Sequence, residues 1–160
     1  STLSSSSAAS DVYKRQLPED WAGTKEGAGA FTQKGKLPKV PANARLHPGW
    51  FDQTLPPFLA AHAGPVAFLH VDCDIYTSTV TIFSALAGRI VPGTVILFDE
   101  YFNYPGWRGH EYKAFQEFIA QAGLTYEYIG VSAEKGHVAV RLGAAGSLPE
   151  PRADAAPARP

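Results

Sequence analysis

The sequence predicts an α/β domain with two neighbouring parallel strands, and two observations carry that prediction. The apolar run Val66-Ala67-Phe68-Leu69-His70-Val71 ends in Asp72-Cys73-Asp74-Ile75-Tyr76. A second run, Thr94-Val95-Ile96-Leu97-Phe98, ends in Asp99-Glu100-Tyr101. Between them lies an amphipathic stretch of helix length. A right-handed strand–helix–strand connection makes the two strands parallel neighbours. Their carboxyl ends then lie side by side on the edge where open α/β sheets bind ligands. Asp72, Asp74, Asp99 and Glu100 converge there, a place to hold a divalent cation and a polar substrate.

The remaining elements follow in chain order. Leu17–Pro41 is rich in Gly, Lys and Pro without a lasting period and reads as loop. Ala44-Arg45-Leu46-His47 reads as a short strand, and Pro48-Gly49 as a turn. Over Trp50–Ala63 the apolar spacing is helical, with Phe51, Leu55, Phe58 and Leu59 on one face. Pro56-Pro57 places the start of that helix near Pro57, because proline suits a first turn. Gly64-Pro65 ends it. Val66–Val71 is continuously apolar, as expected of a strand covered on both faces. Thr77-Ser78-Thr79 offers a cap for a helix running to about Ile90 that buries Val80, Ile82, Phe83 and Leu86. Val91-Pro92-Gly93 is a turn. Phe102–Arg108 is an aromatic loop. Gly109–Ala122 reads as a helix with Tyr112, Phe115, Phe118 and Ile119 inward, closed by Gly123 in a left-handed cap. Thr125–Ile129 and His137–Arg141 are β-rich runs that form a closing antiparallel pair.

Composition bounds the class. The chain has 160 residues, 45% hydrophobic and 12% aromatic, which suits one globular domain. A net charge of −1 provides no basic footprint and argues against nucleic acid as a partner. No apolar run reaches membrane-spanning length. A single cysteine, Cys73, excludes an internal disulfide framework and a cysteine-rich zinc site. The expected location is cytoplasmic. Residues 1–16 read as a foreign leader. Ser6 to Gln16 resembles the translation of a sequencing adapter, and its Ser/Ala run followed by Lys14-Arg15 has no core-forming period. No apolar h-region follows those charges, so it is not a signal peptide. The domain proper is expected at residues 17–142, followed by a disordered Ala/Pro-rich tail at 143–160.

The residues also resemble a family. Leu17-Pro18-Glu19-Asp20-Trp21, Gly49-Trp50-Phe51-Asp52-Gln53-Thr54-Leu55-Pro56, His70-Val71-Asp72-Cys73-Asp74-Ile75-Tyr76-Thr77-Ser78-Thr79, Pro92-Gly93-Thr94, Phe98-Asp99-Glu100-Tyr101, and Trp107 with His110-Glu111-Tyr112-Lys113-Ala114-Phe115 are similar to the class I S-adenosylmethionine-dependent methyltransferases. More narrowly, they resemble the macrocin O-methyltransferase family. The resemblance implies a Rossmann-like sheet that ends in an antiparallel hairpin. It implies O-methylation of a hydroxyl on a sugar or small natural product, with S-adenosylmethionine as cofactor. It carries a magnesium site onto Asp72, Asp99 and Glu100, where the ion would lower the pKa of a substrate hydroxyl. The family often has Asp where this chain has Glu100. Asp72 and His110 take the catalytic roles, and Asp72 and Cys73 the cofactor contacts. Self-association is left open.

The family's Gly-rich cofactor loop and the ribose-binding acid would lie upstream of Leu17, since no Gly-x-Gly-x-x-Gly occurs here. The expectation is therefore an N-terminally truncated sheet lacking its first two, central strands, and inactive alone. Competing readings are a metal-dependent nucleotide-sugar glycosyltransferase, which shares Asp-x-Asp after a strand but does not explain Asp99-Glu100, and a non-catalytic methyltransferase-like fragment. A phosphatase loop is excluded, because Tyr76 stands where its Thr or Val belongs.

Each residue also has a plainer role. Asp74 sits where it would either cap the next helix or ligate. His70 lies inside a strand and reads as a core histidine. His110 faces the cleft as a base or substrate contact, or else sits on the surface at a helix start. Glu111 and Lys113 read as helix-face charges, with Glu111 within reach of the cleft. Tyr76 and Tyr101 read as packing at the cleft rim, and Trp50 and Phe51 as core. Phe102, Tyr104 and Trp107 form either a substrate lid or simple packing. Cys73, between two acids, is a poor nucleophile.

Overall fold

The computed structural model describes residues 9–11, 17–30 and 37–146. The other residues of the expected leader, and the tail from residue 147 onward, lie outside the described residues. The elements are β1 (Ala9–Asp11), β2 (Ala44–Leu46), α1 (Phe51–Ala61), β3 (Phe68–Val71), α2 (Tyr76–Leu86), β4 (Val95–Phe98), a 3-10 turn at Trp107–Gly109, α3 (Glu111–Ala122), β5 (Thr125–Ser132) and β6 (His137–Gly143). β1 and β2 form a separate parallel pair. β1 falls inside the stretch read as leader.

The main sheet has the order β3-β4-β6-β5. β3 and β4 run parallel with Val71 opposite Phe98, as the strand–helix–strand reading requires. β6 is antiparallel to both β4 and β5, so the closing hairpin folds its second strand into the sheet and leaves the first on the edge. The pleat sorts the side chains into two faces. Val71, Ile96, Phe98, Val138, Val140 and Leu142 are buried and join Leu55 of α1, Ile82, Phe83 and Leu86 of α2 and Phe115, Phe118 and Ile119 of α3 in one core. Phe83 stacks on Phe118 with ring centroids 4.7 Å apart, and Phe115 meets Phe98 edge-on at 5.0 Å.

Several local expectations need correction. Among the described residues β3 is covered on one face only, as expected where a sheet lacks its central strands. It is an edge strand of this sheet, and Phe68, pointing away from the helices, is 59% exposed. His70 points the same way and is no core histidine, because every helix of the core lies on the opposite face. α1 begins at Phe51, before its prolines. The Trp50 carbonyl accepts from the Gln53 and Thr54 N–H groups and from the Thr54 hydroxyl, which closes the first turn. The carbonyls that Pro56 and Pro57 leave without intrahelical donors belong to Asp52 and Gln53, both on the exposed face where water can reach them. Trp50 itself is exposed rather than core. Finally, Thr77, Ser78 and Thr79 lie inside α2 and do not cap it, and the Thr79 hydroxyl donates back to the Ile75 carbonyl at 2.8 Å. Gly123 does close α3 in the left-handed conformation, φ 62°, with its N–H on the Ile119 carbonyl. No helix among the described residues is long and apolar enough to cross a membrane.

Phe98→Ala is expected to lower unfolding free energy by about 3–5 kcal/mol, as loss of a fully buried phenyl ring does. Phe68→Ser on the open face should stay within about 0.5 kcal/mol. Urea titration of both variants checks the assignment of the two faces.

Candidate functional site

The site begins where β3 and β4 end. Their ladder closes with the Asp99 N–H donating to the Val71 carbonyl at 3.0 Å, so Asp72 leaves β3 beside the point where Asp99 and Glu100 leave β4. Asp72 is exposed, whereas Asp99 and Glu100 are half-buried. One carboxylate oxygen from each of the three lies within 4.8 Å of the other two. These are the acids expected to meet, and they do.

What holds the two strand-end loops together is Glu111, in the first turn of α3. Its side chain is fully buried. Its Oε1 accepts the backbone N–H of Cys73 and of Asp74, each at 3.2 Å, and its Oε2 accepts that of Glu100 at 3.4 Å. Asp74 adopts a left-handed φ of 65°, a conformation a non-glycine residue rarely takes. One carboxylate thus ties the loop after β3 to the loop after β4 and turns both toward the cleft. Burial pushes the Glu111 carboxyl up to about 8, against the pull of the Cys73 N–H and with a further rise from the Asp74 charge. Burial, then the Glu111 charge, then Asp74, Asp99 and Asp72 push Glu100 up to about 9. The Glu100 Oε2 is buried without a hydrogen-bond partner among the described residues. Several carboxyls share this volume, and either protons or a cation must relieve their repulsion.

The other expected residues are placed as follows. Asp99 Oδ1 lies 3.5 Å from His70 Nε2 and 3.4 Å from His137 Nε2, on the open face of the sheet. Cys73 is buried, with its Sγ 3.2 Å from the Thr79 hydroxyl, so its side chain faces the core. His110 is also buried, with Nε2 2.8 Å from the Ala22 carbonyl and its ring against Trp21 and Tyr104. Its Nδ1 is buried without a hydrogen-bond partner among the described residues. Burial foremost, with the Glu111, Glu100 and Asp74 charges adding to it, raises the Tyr104 phenol above its ordinary range and keeps it neutral. Tyr101 and Tyr76 are packing residues: the first is buried and bonded to Tyr128 and Gln116, and the second donates to Glu117 at 2.6 Å.

Residues 17–30 lie across the aromatic loop. Gly23 and Gly106 permit this: a Cβ on Gly23 would meet the Pro105 carbonyl oxygen at 2.1 Å, and one on Gly106 the Ala22 oxygen at 2.9 Å. The contact brings Trp21 to within 5.4 Å of Tyr104, centroid to centroid. Trp21 and the organising role of Glu111 were not foreseen from the sequence. A signal for Glu111 was present, since it stands four and seven residues before Phe115 and Phe118, on the buried stripe of α3. An acid on such a stripe has an internal partner.

Comparison with known proteins places this geometry. The family described as "Methyltransferase domain" matches residues 2–101, well over half of the chain. The chain belongs to the methyltransferase-domain family. The match starts inside the stretch read as leader and ends at the acids after β4. Over 57 residues the chain is 39% identical to 8-demethyl-8-(2,3-dimethoxy-alpha-L-rhamnosyl)-tetracenomycin-C 4'-O-methyltransferase of Streptomyces olivaceus, covering 36% of this chain and 21% of that protein. The O-methyltransferase NovP superposes with a TM-score of 0.50 at 26% identity, covering 64% of this chain and 38% of NovP. CalS11, a TDP-rhamnose 3'-O-methyltransferase of calicheamicin biosynthesis, does so at 0.50 and 22% identity, covering 64% of this chain and 42% of CalS11; that likeness is one of fold. The chain spans less than half the length of each of these relatives. The class I methyltransferase resemblance and the Rossmann-like mixed sheet are thereby established.

Two outcomes are expected from the Glu111 arrangement. Glu111→Ala leaves three backbone N–H groups without their acceptor and should cost about 3 kcal/mol or more, while Glu111→Gln, which keeps an acceptor oxygen, should cost less. Folding raises the Glu100 and Glu111 carboxyls from 4.5 to about 9 and 8, so the folded chain binds more protons than the unfolded one. Their contribution is complete below pH 4.5 and is lost as pH rises through 8 to 9. Melting temperatures of chelator-treated protein from pH 5 to 9 should therefore fall with pH, more steeply in the parent than in Glu111→Gln.

Proposed function

We propose that the chain serves S-adenosylmethionine-dependent O-methylation of a hydroxyl on a sugar or small natural product, with Asp72, Asp99 and Glu100 holding Mg²⁺. The observation that carries the reading is the meeting of three carboxylate oxygens within 4.8 Å at two adjoining parallel strand ends. The donor set fits the ion: all three are hard oxygen ligands, and Glu100 keeps a buried oxygen without a protein partner. Mg²⁺ bound there would supply Lewis-acid polarisation of the acceptor hydroxyl. S-adenosylmethionine as methyl donor follows from membership of the methyltransferase-domain family.

The chain's own residues do the rest by position. Glu111 fixes the two acid-bearing loops relative to one another. Trp21 and Tyr104 meet edge-on at 5.4 Å, next to His110 at the terminus of α3, and offer aromatic surface against which a sugar ring could pack. The sugar reading draws support from the Streptomyces olivaceus relative, whose name specifies a hydroxyl of a rhamnosyl group as the methylated position. A nucleotide-sugar glycosyltransferase reading receives no comparable support, since it leaves Asp99-Glu100 unexplained.

The test is transfer of a labelled methyl group from S-adenosylmethionine to TDP-rhamnose and to rhamnosylated aglycones, with Mg²⁺ or with a chelator. Transfer to a rhamnosyl acceptor is expected with Mg²⁺ when this chain is joined to the upstream cofactor-binding half that the resemblance implies, and not from this chain alone. It should fall about 100-fold in chelator and in Asp72→Asn or Asp99→Asn, as loss of electrostatic stabilisation at a reacting oxygen does. Transfer indifferent to chelation would remove the cation from the reading, and a joined protein that binds S-adenosylmethionine yet is inert toward every hydroxylated acceptor would remove the activity.

A further inference from the structure

The open face of the sheet carries a group that the fold does not need. His70 on β3, Asp99 after β4 and His137 at the start of β6 come from three neighbouring strands and meet on the side away from the helices. Both imidazole Nε2 atoms approach the same carboxylate oxygen, Asp99 Oδ1, at 3.5 and 3.4 Å. The side chains of His70 and His137 are 44% and 38% exposed, so neither is there to fill the core.

We infer that His70 and His137 are positioning residues: they hold Oδ1 of Asp99 between them and so fix the orientation in which that carboxylate is presented to a divalent cation shared with Asp72 and Glu100. The inference rests on the cation reading above. An imidazolium, or a neutral imidazole carrying its proton on Nε2, places a positive group within 3.5 Å of the oxygen. Two such dipoles on one oxygen restrict rotation of a half-exposed carboxylate that would otherwise sample several rotamers. Groups that orient a metal's direct ligands in this way typically control affinity by about 10–100-fold. The register makes the bracket possible: Phe98 pairs with Val71 on one side and Val138 on the other, which seats Asp99 one residue further on, between the two histidine-bearing strands.

The experiment is Mn²⁺ binding by the whole chain, followed by electron paramagnetic resonance, with Mg²⁺ competition. The wild-type chain should bind one Mn²⁺ that Mg²⁺ displaces, and Asp99→Ala should abolish it. His70→Ala/His137→Ala should weaken it about 10–100-fold. His70→Gln/His137→Gln, which restores an N–H donor at similar reach, should recover most of the loss. Melting temperatures should stay near that of the wild type throughout, because both side chains are on the open face. Wild-type affinity in the double alanine variant overturns this inference and leaves the cation reading standing. A directly bound ¹⁴N signal in pulsed spectra of the Mn²⁺ protein also overturns it, since the histidines would then be ligands. A wild-type chain that binds no Mn²⁺ overturns both.

Discussion

The buried carboxylate of Glu111 is the constraint on which the site depends. Asp72 and the Asp99-Glu100 pair sit on separate loops, and like charges at that separation repel. Parallel pairing of β3 and β4 brings the loops near one another but does not fix their conformations. Glu111 does so by accepting three backbone N–H groups, two from the first loop and one from the second. The left-handed Asp74 is the local consequence: its N–H and that of Cys73 both reach one oxygen because the chain reverses there. Backbone strain of that kind persists only where surrounding contacts over-determine it, and it recurs at functional positions.

Placing an acid at this point has an electrostatic cost that the fold accepts. A neutral acceptor could satisfy the same N–H groups without adding a carboxyl to a region already holding four others. Burial is the largest cause of the rise of Glu100 and Glu111 toward 9 and 8, and the neighbouring charges add to it. Protons and a cation answer the same electrostatic demand. A cleft able to hold protons at neutral pH when empty can exchange them for a divalent ion, so the affinity of such a site rises with pH as its ligands give up protons.

Much of the architecture was legible because it is written in short-range pattern. The two apolar runs, the helix between them and the acids at their ends required only period and spacing, and they yielded the parallel pair and the meeting of Asp72, Asp99 and Glu100. Gly123 announced the end of α3 for the same reason. The failures share a different cause. Continuous apolarity in Val66–Val71 predicts cover on both faces, whereas the described residues supply helices on one face only and leave Phe68 and His70 exposed on the other. Pro56 and Pro57 misplaced the start of α1 because their missing hydrogen bonds fall on its solvent side. Glu111 reads from the sequence as a helix-face charge within reach of the cleft, and its organising role escapes that reading because its partners lie 38, 37 and 11 residues away.

His110 shows how one contact can tie the periphery to the site. Its ring stands at the N-terminal boundary of α3, one residue before Glu111, and its Nε2 reaches the Ala22 carbonyl 88 residues upstream. The same α3 terminus therefore anchors both acid-bearing loops through Glu111 and the segment carrying Trp21 through His110. The two glycines at the crossing of residues 17–30 with the aromatic loop let backbone meet backbone, which no side chain there would allow. A shift of the α3 terminus would be felt at the acids and at the Trp21–Tyr104 wall together. Geometry at the acids and shape at the aromatic wall are thus set by adjacent residues of one helix, and substitutions in its first turn should alter both at once rather than either alone.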